Sequence, residues 1–404
     1  MTTTGSTAHP ARDGSPSGGG ITIVICLIVA MLEGFDIQAA GVAAPRLAPA
    51  LGLAPDQLGL FFSASTLGML LGAYVGGWAA DRWGRKPVLI LAVLTFAIGS
   101  LATGAAQALP GLALSRLITG LGLGSGLPAL IALVAERNPG RSNRAVAMMY
   151  AGTPLGGAFV GVASSALTNW RHIFYAGGLL PVLVVPVLVF LLKESHTRKA
   201  PGADKPGIGQ LWREGRAATT ALLWIAFFTG MMVLYLMLNW TPMLLAARTF
   251  SGQQIALFQA VFNIAGGLAV LAAATPLDGP WFRTIAIGAY ALTIGALVAL
   301  AQIPAQTAAA MLVALLFGAG LLVSQSILYA TASRLYPPQT RGTGVGAAVA
   351  VGRLGSVAGP LLGGIALHAG LTPRWLILLT IPVIILAALA IVAAINRHRA
   401  VQKP

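Results

Sequence analysis

Four charged side chains stand inside otherwise apolar stretches of this 404-residue sequence: Glu33, Asp36, Arg116 and Arg353. A charge in an apolar medium costs about 2.5–3.5 kcal/mol even on a lenient insertion scale, so each needs a partner or a task. Glu33 and Asp36 are three residues apart and on a helix would share a face. Two carboxylates that close resist being ionised together, which suits at least one of them to carrying a proton. The structural alternative is that both pair with Arg116 and tie two helices together. A pair that protonation breaks would do both. Arg353 has no acidic residue in its own segment. Its guanidinium fork matches a carboxylate, so it invites an anionic ligand. The rival is hydrogen bonding to backbone carbonyls beside Pro360.

Other chemistries find no residues. Cys26 is the single cysteine, so no intrachain disulfide can form. His172, His196 and His398 fall in or beside loops and His368 near a helix end, so a histidine proton relay is not expected. No nucleophile elbow or phosphate loop is present, because the glycine-rich stretches lie inside apolar runs rather than after strands. The sequence therefore predicts a non-enzyme with no catalytic residue, no metal and no cofactor. The proton is the one coupling ion.

The elements that must position these charges are long apolar helices. Hydrophobic residues make up 57% of the chain and charged residues 9%, and there are 50 glycines. So few charges cannot coat a soluble core, whereas lipid accepts such a surface and glycine allows close helix approach within it. Twelve segments are near the roughly 20 residues a crossing requires. They are 21–44, 57–80, 87–107, 110–135, 144–166, 173–192, 217–241, 253–275, 281–301, 304–333, 342–367 and 373–395. At about 1.5 Å per residue, Glu33 and Arg353 fall near the midplane. The run from Ile21 does not read as a signal peptide, since it holds two acids and many similar runs follow it.

This pattern predicts an all-α membrane protein with a disordered tail over 1–20, a six-helix bundle over 21–192 and a linker over 193–216. A second six-helix bundle over 217–395 and a tail over 396–404 follow. A short surface helix near Leu211–Arg216 is expected in the linker. The expected outside loops hold just Arg46, Arg171, Arg248 and Arg374 of the 25 basic residues. That asymmetry puts both termini in the cytoplasm. It also accounts for the formal net charge of +15 without a nucleic-acid partner. The halves echo each other: Gly152-Thr-Pro154-Leu-Gly156-Gly157 in segment five answers Gly359-Pro360-Leu-Leu-Gly363-Gly364 in segment eleven. A duplicated carrier places its site at the midplane between the halves.

The loop Gly77-Trp-Ala-Ala-Asp81-Arg82-Trp-Gly84-Arg85-Lys86 resembles the G-x-x-x-D-R-x-G-R-[RK] motif of the major facilitator superfamily. Arg116-Leu-Ile-Thr-Gly120 and the two glycine–proline runs are similar to its fourth- and fifth-helix patterns. The resemblance implies two pseudo-symmetric six-helix bundles, with Asp81, Arg82, Gly84 and Arg85 acting as a gating clamp between them; the alternative is that the basic residues only enforce topology. The counterpart after segment eight is eroded to Asp278 and Arg283. Glu33-Gly34-Phe35-Asp36 resembles the D-G-x-D motif of aromatic acid:proton symporters, with Glu33 in place of the first Asp. That variant is similar to carriers of 3-(3-hydroxyphenyl)propionate, as are the runs around Gly344–Gly355, 235–242 and 325–330. In this family the first, fourth, seventh and tenth helices line the cavity. The resemblance thus makes Tyr235, Asn239, Trp240, Gln325 and Tyr329 candidates to join Arg353 in holding substrate, with Asn263 a further polar intrusion and helix packing the alternative role for each. Glu33, Asp36 and Arg116 would couple protons. The function implied is proton-coupled import of a small aromatic carboxylate by a monomer in a bacterial inner membrane. A proton-driven exporter is the alternative, and a non-transporting receptor a more remote one.

Overall fold

The computed structural model describes residues 17–195, 208–213, 216–337 and 339–401. Among them are α1 (Ser17–Leu51), α2 (Pro55–Trp83), α3 (Arg85–Ala105), α4 (Leu109–Arg137), α5 (Ser142–Tyr150), α6 (Gly152–Ala166) and α7 (Trp170–Phe190). Then come α8 (Ala217–Ala246), α9 (Gly252–Asp278), α10 (Phe282–Gln302), α11 (Thr307–Leu335), α12 (Arg341–His368) and α13 (Pro373–Val401). Twelve spans are long and apolar enough to cross a membrane, with α5 and α6 forming one of them. Helices are the natural choice, because lipid offers no partner to a free backbone N–H or C=O. The break at Ala151 lies just before Pro154, which has no N–H to return to Tyr150.

Several ends differ from the sequence reading. Helix α1 starts at Ser17, inside the expected tail, and α13 continues to Val401. Extending an existing helix adds one hydrogen bond per residue fixed, so apolar spans grow past their hydropathic limits. Residues 1–16 and most of the linker, including His196, lie outside the described residues. The part of the linker that is described forms a 3₁₀ turn over Ile208–Trp212, a little before the expected surface helix, with Leu211 buried.

The two halves pack by one scheme. In the first, α1 lies on α6, α2 on α4, and α3 on α4 and α7. In the second, α8 lies on α12, α9 on α11, and α10 on α11 and α13, which are the equivalent pairs. Close approach depends on small residues. A Cβ added at Gly68 or Gly72 of α2 would overlap the Leu117 or Leu121 carbonyl of α4. This is the four-residue small-residue spacing of packed membrane helices.

Twelve spans among the described residues put the start of α1 and the end of α13 on one face, here called the terminal face. The seam between bundles is formed by α1 on α8, α2 on α12 and α6 on α9. Its described contacts run from the middle of the seam to the far face. Gly41 meets the carbonyls of Leu238 and Asn239, and Ser63 Oγ donates to Val357 O at 2.8 Å. His368 Nδ1 lies 3.2 Å from Asp56 Oδ1. Gln38 Nε2 donates to Asn263 Oδ1 at 2.7 Å, and Gln259 and Asn263 donate back to Gln38 Oε1. All three amides are buried. On the terminal side of the middle, Tyr150 and Tyr329 are 36% and 39% exposed. The bundles are therefore shut at the far face and parted toward the terminal face.

Three of the four arginines expected in outside loops bond to helix ends. Arg46 donates to the carbonyls of Ser164 and Leu167 at the end of α6. Arg171 donates to Gly104 and Ala106 after α3, and Arg248 to Leu300 and Ile303 after α10. A cation at a helix C-terminus satisfies free carbonyls and the macrodipole together. Burial and the neighbouring charge of Arg374 hold the Arg248 guanidinium below its usual pKa.

Candidate functional site

Arg353 sits in the middle of α12 and is buried. Its Nη1 donates to Tyr235 Oη of α8 at 2.8 Å and lies 4.0 Å from Met69 Sδ of α2. The guanidinium carbon is 5.9 Å from the Tyr235 ring centre. Tyr329 of α11 stands edge-on to Phe227 of α8, with ring centres 5.4 Å apart. Tyr235 touches Arg353, and Tyr329 and Tyr150 lie within its electrostatic reach.

Glu33 comes to this cluster from the other bundle. It lies midway along α1, is buried, and its Oε1 has no hydrogen-bond partner. Gly126 of α4 leaves room for it, since a Cβ there would stand 2.8 Å from that oxygen. The positive charge acting on Glu33 is that of Arg353. An acid with an unpartnered oxygen in the first bundle thus lies within electrostatic reach of a cation in the second.

Asp36 takes a different course. Its Oδ1 accepts from Arg116 Nη1 at 2.6 Å, and both side chains are almost fully buried. Arg116 Nη2 also donates to Asp36 O at 3.3 Å and to Ser65 Oγ at 3.2 Å. The Phe61 and Phe174 rings lie 6.0 and 5.9 Å from its guanidinium. This pair is sealed among α1, α2, α4 and α7. The sequence groups Glu33 and Asp36 on one face, but the structure divides them. Three residues advance a helix by about 300°, and that offset of roughly 60° is enough to aim them at different neighbours.

The other expected ligand-holding residues also separate. Gln325 Nε2 donates to Gly230 O at 3.1 Å, leaving a buried Oε1 without a partner. Asn239 Nδ2 donates to Tyr235 O of its own helix at 2.8 Å. Trp240 is buried where α8, α12 and α2 meet. Its indole N–H donates to Pro360 O at 3.0 Å and its ring is edge-on to Phe62. Asn263 belongs to the amide cluster at the seam. Sequence reasoning missed Tyr150, Met69, Gln38 and Gln259. Tyr150 precedes a helix break, and only that position could have marked it.

The motif loop is held within the first bundle. Gly84 adopts φ +101°, a left-handed value that glycine accommodates. Arg85 is buried and bridges Asp81 Oδ1 at 3.7 Å and Glu136 Oε1 at 3.1 Å. Glu194 accepts from the backbone N–H groups of Arg85, Lys86 and Ser195, capping α3. Asp81, in the same loop, is half exposed. Arg82 lies 5.8 Å from the Trp78 ring.

A buried arginine, a buried acid within reach of its charge and two bundles parted on one side are the geometry of a carrier. The sequence profile described as Major Facilitator Superfamily matches residues 26–360. The chain belongs to the Major Facilitator Superfamily. Among relatives in this superfamily is a 3-(3-hydroxy-phenyl)propionate transporter of Escherichia coli, 39% identical over 95% of both chains. A gallate transporter of Pseudomonas putida is 33% identical over 94% of this chain and 92% of its own. A 4-hydroxybenzoate transporter of Pseudomonas aeruginosa is 31% identical over 86% of each. The crystal structure of a D-xylose–proton symporter superposes with a TM-score of 0.77 at 18% identity, covering 93% of this chain and 97% of that one. A bacterial homologue of the lysosomal transporter Spinster gives 0.76 at 17% identity, covering 95% and 98%. These two structures share the superfamily fold.

Proposed function

We propose that this chain imports a small aromatic carboxylate by alternating access, coupled to protons, as a monomer in a bacterial inner membrane with its termini in the cytoplasm. The observation that carries the reading is Arg353, buried at mid-helix and ringed by tyrosines, opposite the unpartnered oxygen of Glu33. The relatives named as carriers of hydroxylated aromatic acids support the substrate class.

Charge balance gives the mechanism. One guanidinium in a low-dielectric chamber favours one facing anion. With the site empty, that anion is Glu33. When a substrate carboxylate takes Arg353, Glu33 loses its counter-charge and is better accommodated with a proton. Moving an anion inward against an inside-negative potential costs about 2.3 kcal/mol per charge per 100 mV, and one proton cancels that charge. Asp36 and Arg116 form the second proton-sensitive pair, because neutralising Asp36 would release Arg116 inside the first bundle. Tyr235, Tyr329 and Gln325 line the ring end of the site. Asn239 and Trp240 support it from the seam. Asp81, Arg82, Gly84 and Arg85 gate the terminal face, where the exposed Asp81 meets the second bundle once that face closes.

The test is uptake of radiolabelled 3-(3-hydroxyphenyl)propionate into proteoliposomes with an acidic exterior. Accumulation should stop on adding a protonophore and should fail in Arg353→Lys. Accumulation indifferent to the protonophore would refute the coupling. Net movement of the acid against the proton flow would make the protein an exporter.

A further inference from the structure

We infer that Tyr150 determines specificity by hydrogen-bonding a phenolic hydroxyl of the substrate, so that a hydroxylated aromatic acid bridges the two bundles. The inference rests on the aromatic-acid reading and adds a residue to it. The phenols around Arg353 are not equivalent. Tyr235 has its hydroxyl engaged by Arg353 at 2.8 Å and is buried. Tyr329 is accessible, but α11 belongs to the same bundle as Arg353, and its ring is already packed on Phe227. Tyr150 is the accessible one from the opposite bundle, on the parted side of the seam, and its hydroxyl has no described partner. Its ring lies within electrostatic reach of Glu33, Arg353, Tyr235 and Tyr329.

Its position is held firmly. Tyr150 ends α5 immediately before the break at Ala151. Beyond the break, Gly152 packs against the Leu27 carbonyl and the Met31 N–H group of α1, the helix that carries Glu33. The hydroxyl is therefore presented from a fixed helix end, which favours recognition at low ordering cost. A phenol can both donate to and accept from a second phenol. A carboxylate at Arg353 with a ring hydroxyl at Tyr150 ties the second bundle to the first through the substrate. An acid lacking that hydroxyl holds one bundle only and leaves a polar group without its partner, which is how hydrogen-bonding sites reject such analogues.

The experiment compares 3-(3-hydroxyphenyl)propionate with 3-phenylpropionate in the same proteoliposomes, for the parent protein and for Tyr150→Phe. The parent should favour the hydroxylated acid in kcat/KM. In Tyr150→Phe that preference should shrink about three- to tenfold, the worth of one hydrogen bond. Tyr329→Phe should change the ratio less. A ratio unchanged in Tyr150→Phe overturns the inference, including when both rates fall together as for a structural residue. A parent with no preference between the acids overturns it too. A parent that carries neither acid overturns the aromatic-acid reading itself, and this inference with it.

Discussion

Replacing Asp36 by Asn keeps the shape of the Asp36–Arg116 contact and removes its negative charge. The pair is 2.6 Å apart, and its two side chains are 0% and 1% exposed. At an effective dielectric of 20, the direct attraction at that separation is about 6 kcal/mol. Removing the acid leaves Arg116 with neutral acceptors, Ser65 Oγ and Asp36 O, and the faces of Phe61 and Phe174. Cation–π contacts return about 0.5–2 kcal/mol. Breaking one side of a buried pair costs about 3–5 kcal/mol, because the remaining charge stays desolvated. Asp36→Asn should therefore lower the thermal midpoint in detergent by several degrees. Asp36→Asn with Arg116→Met removes both charges and should recover most of the loss, a non-additivity that exposes the coupling. Neither variant should accumulate substrate on a proton gradient. A single variant as stable as the parent would show that the pair is not desolvated. Normal proton-driven accumulation by Asp36→Asn would refute its part in coupling.

Glu33→Gln keeps the volume beside Gly126 but cannot release a proton; it should retain substrate exchange across proteoliposomes while losing accumulation driven by a pH gradient. Gly156→Ala places a Cβ onto the Met31 carbonyl of α1 and should destabilise by about 1–3 kcal/mol in thermal melting, whereas Gly77→Ala, with nothing within 4 Å of the new Cβ, should not. Gln38→Leu removes the centre of the buried amide cluster; on a Cys26→Ala background, maleimide labelling of Leu238→Cys at the far-face seam should rise roughly tenfold. Unchanged labelling would show that the amides do not hold that face shut.

Much of the fold was legible in the chain because lipid imposes a simple rule. A crossing helix needs a long apolar run, so the number of spans, the duplication and the mid-helix positions of Glu33 and Arg353 follow from order along the sequence. The family followed from local motifs around Gly77–Lys86 and Glu33–Asp36. Helix ends were less legible: α1 and α13 outrun their apolar limits, because helix continuation depends on backbone bonds rather than hydropathy. Polar residues that act through distant partners were the least legible. Nothing near Glu194 in the chain shows that it caps α3, or near Arg46 that it closes the end of α6.

The sequence by itself determined which charges enter the long apolar helices and where along them they lie. Only the tertiary structure decided that Asp36 is matched with Arg116 while Glu33 is left to Arg353. It also decided that Trp240 is buried at the seam while Tyr150 stays partly exposed, and that the bundles are shut at the far face. These outcomes turn on which helix faces meet across the bundles. Rotating a helix by a few tens of degrees redirects a side chain from one neighbour to another without altering any periodicity in its sequence.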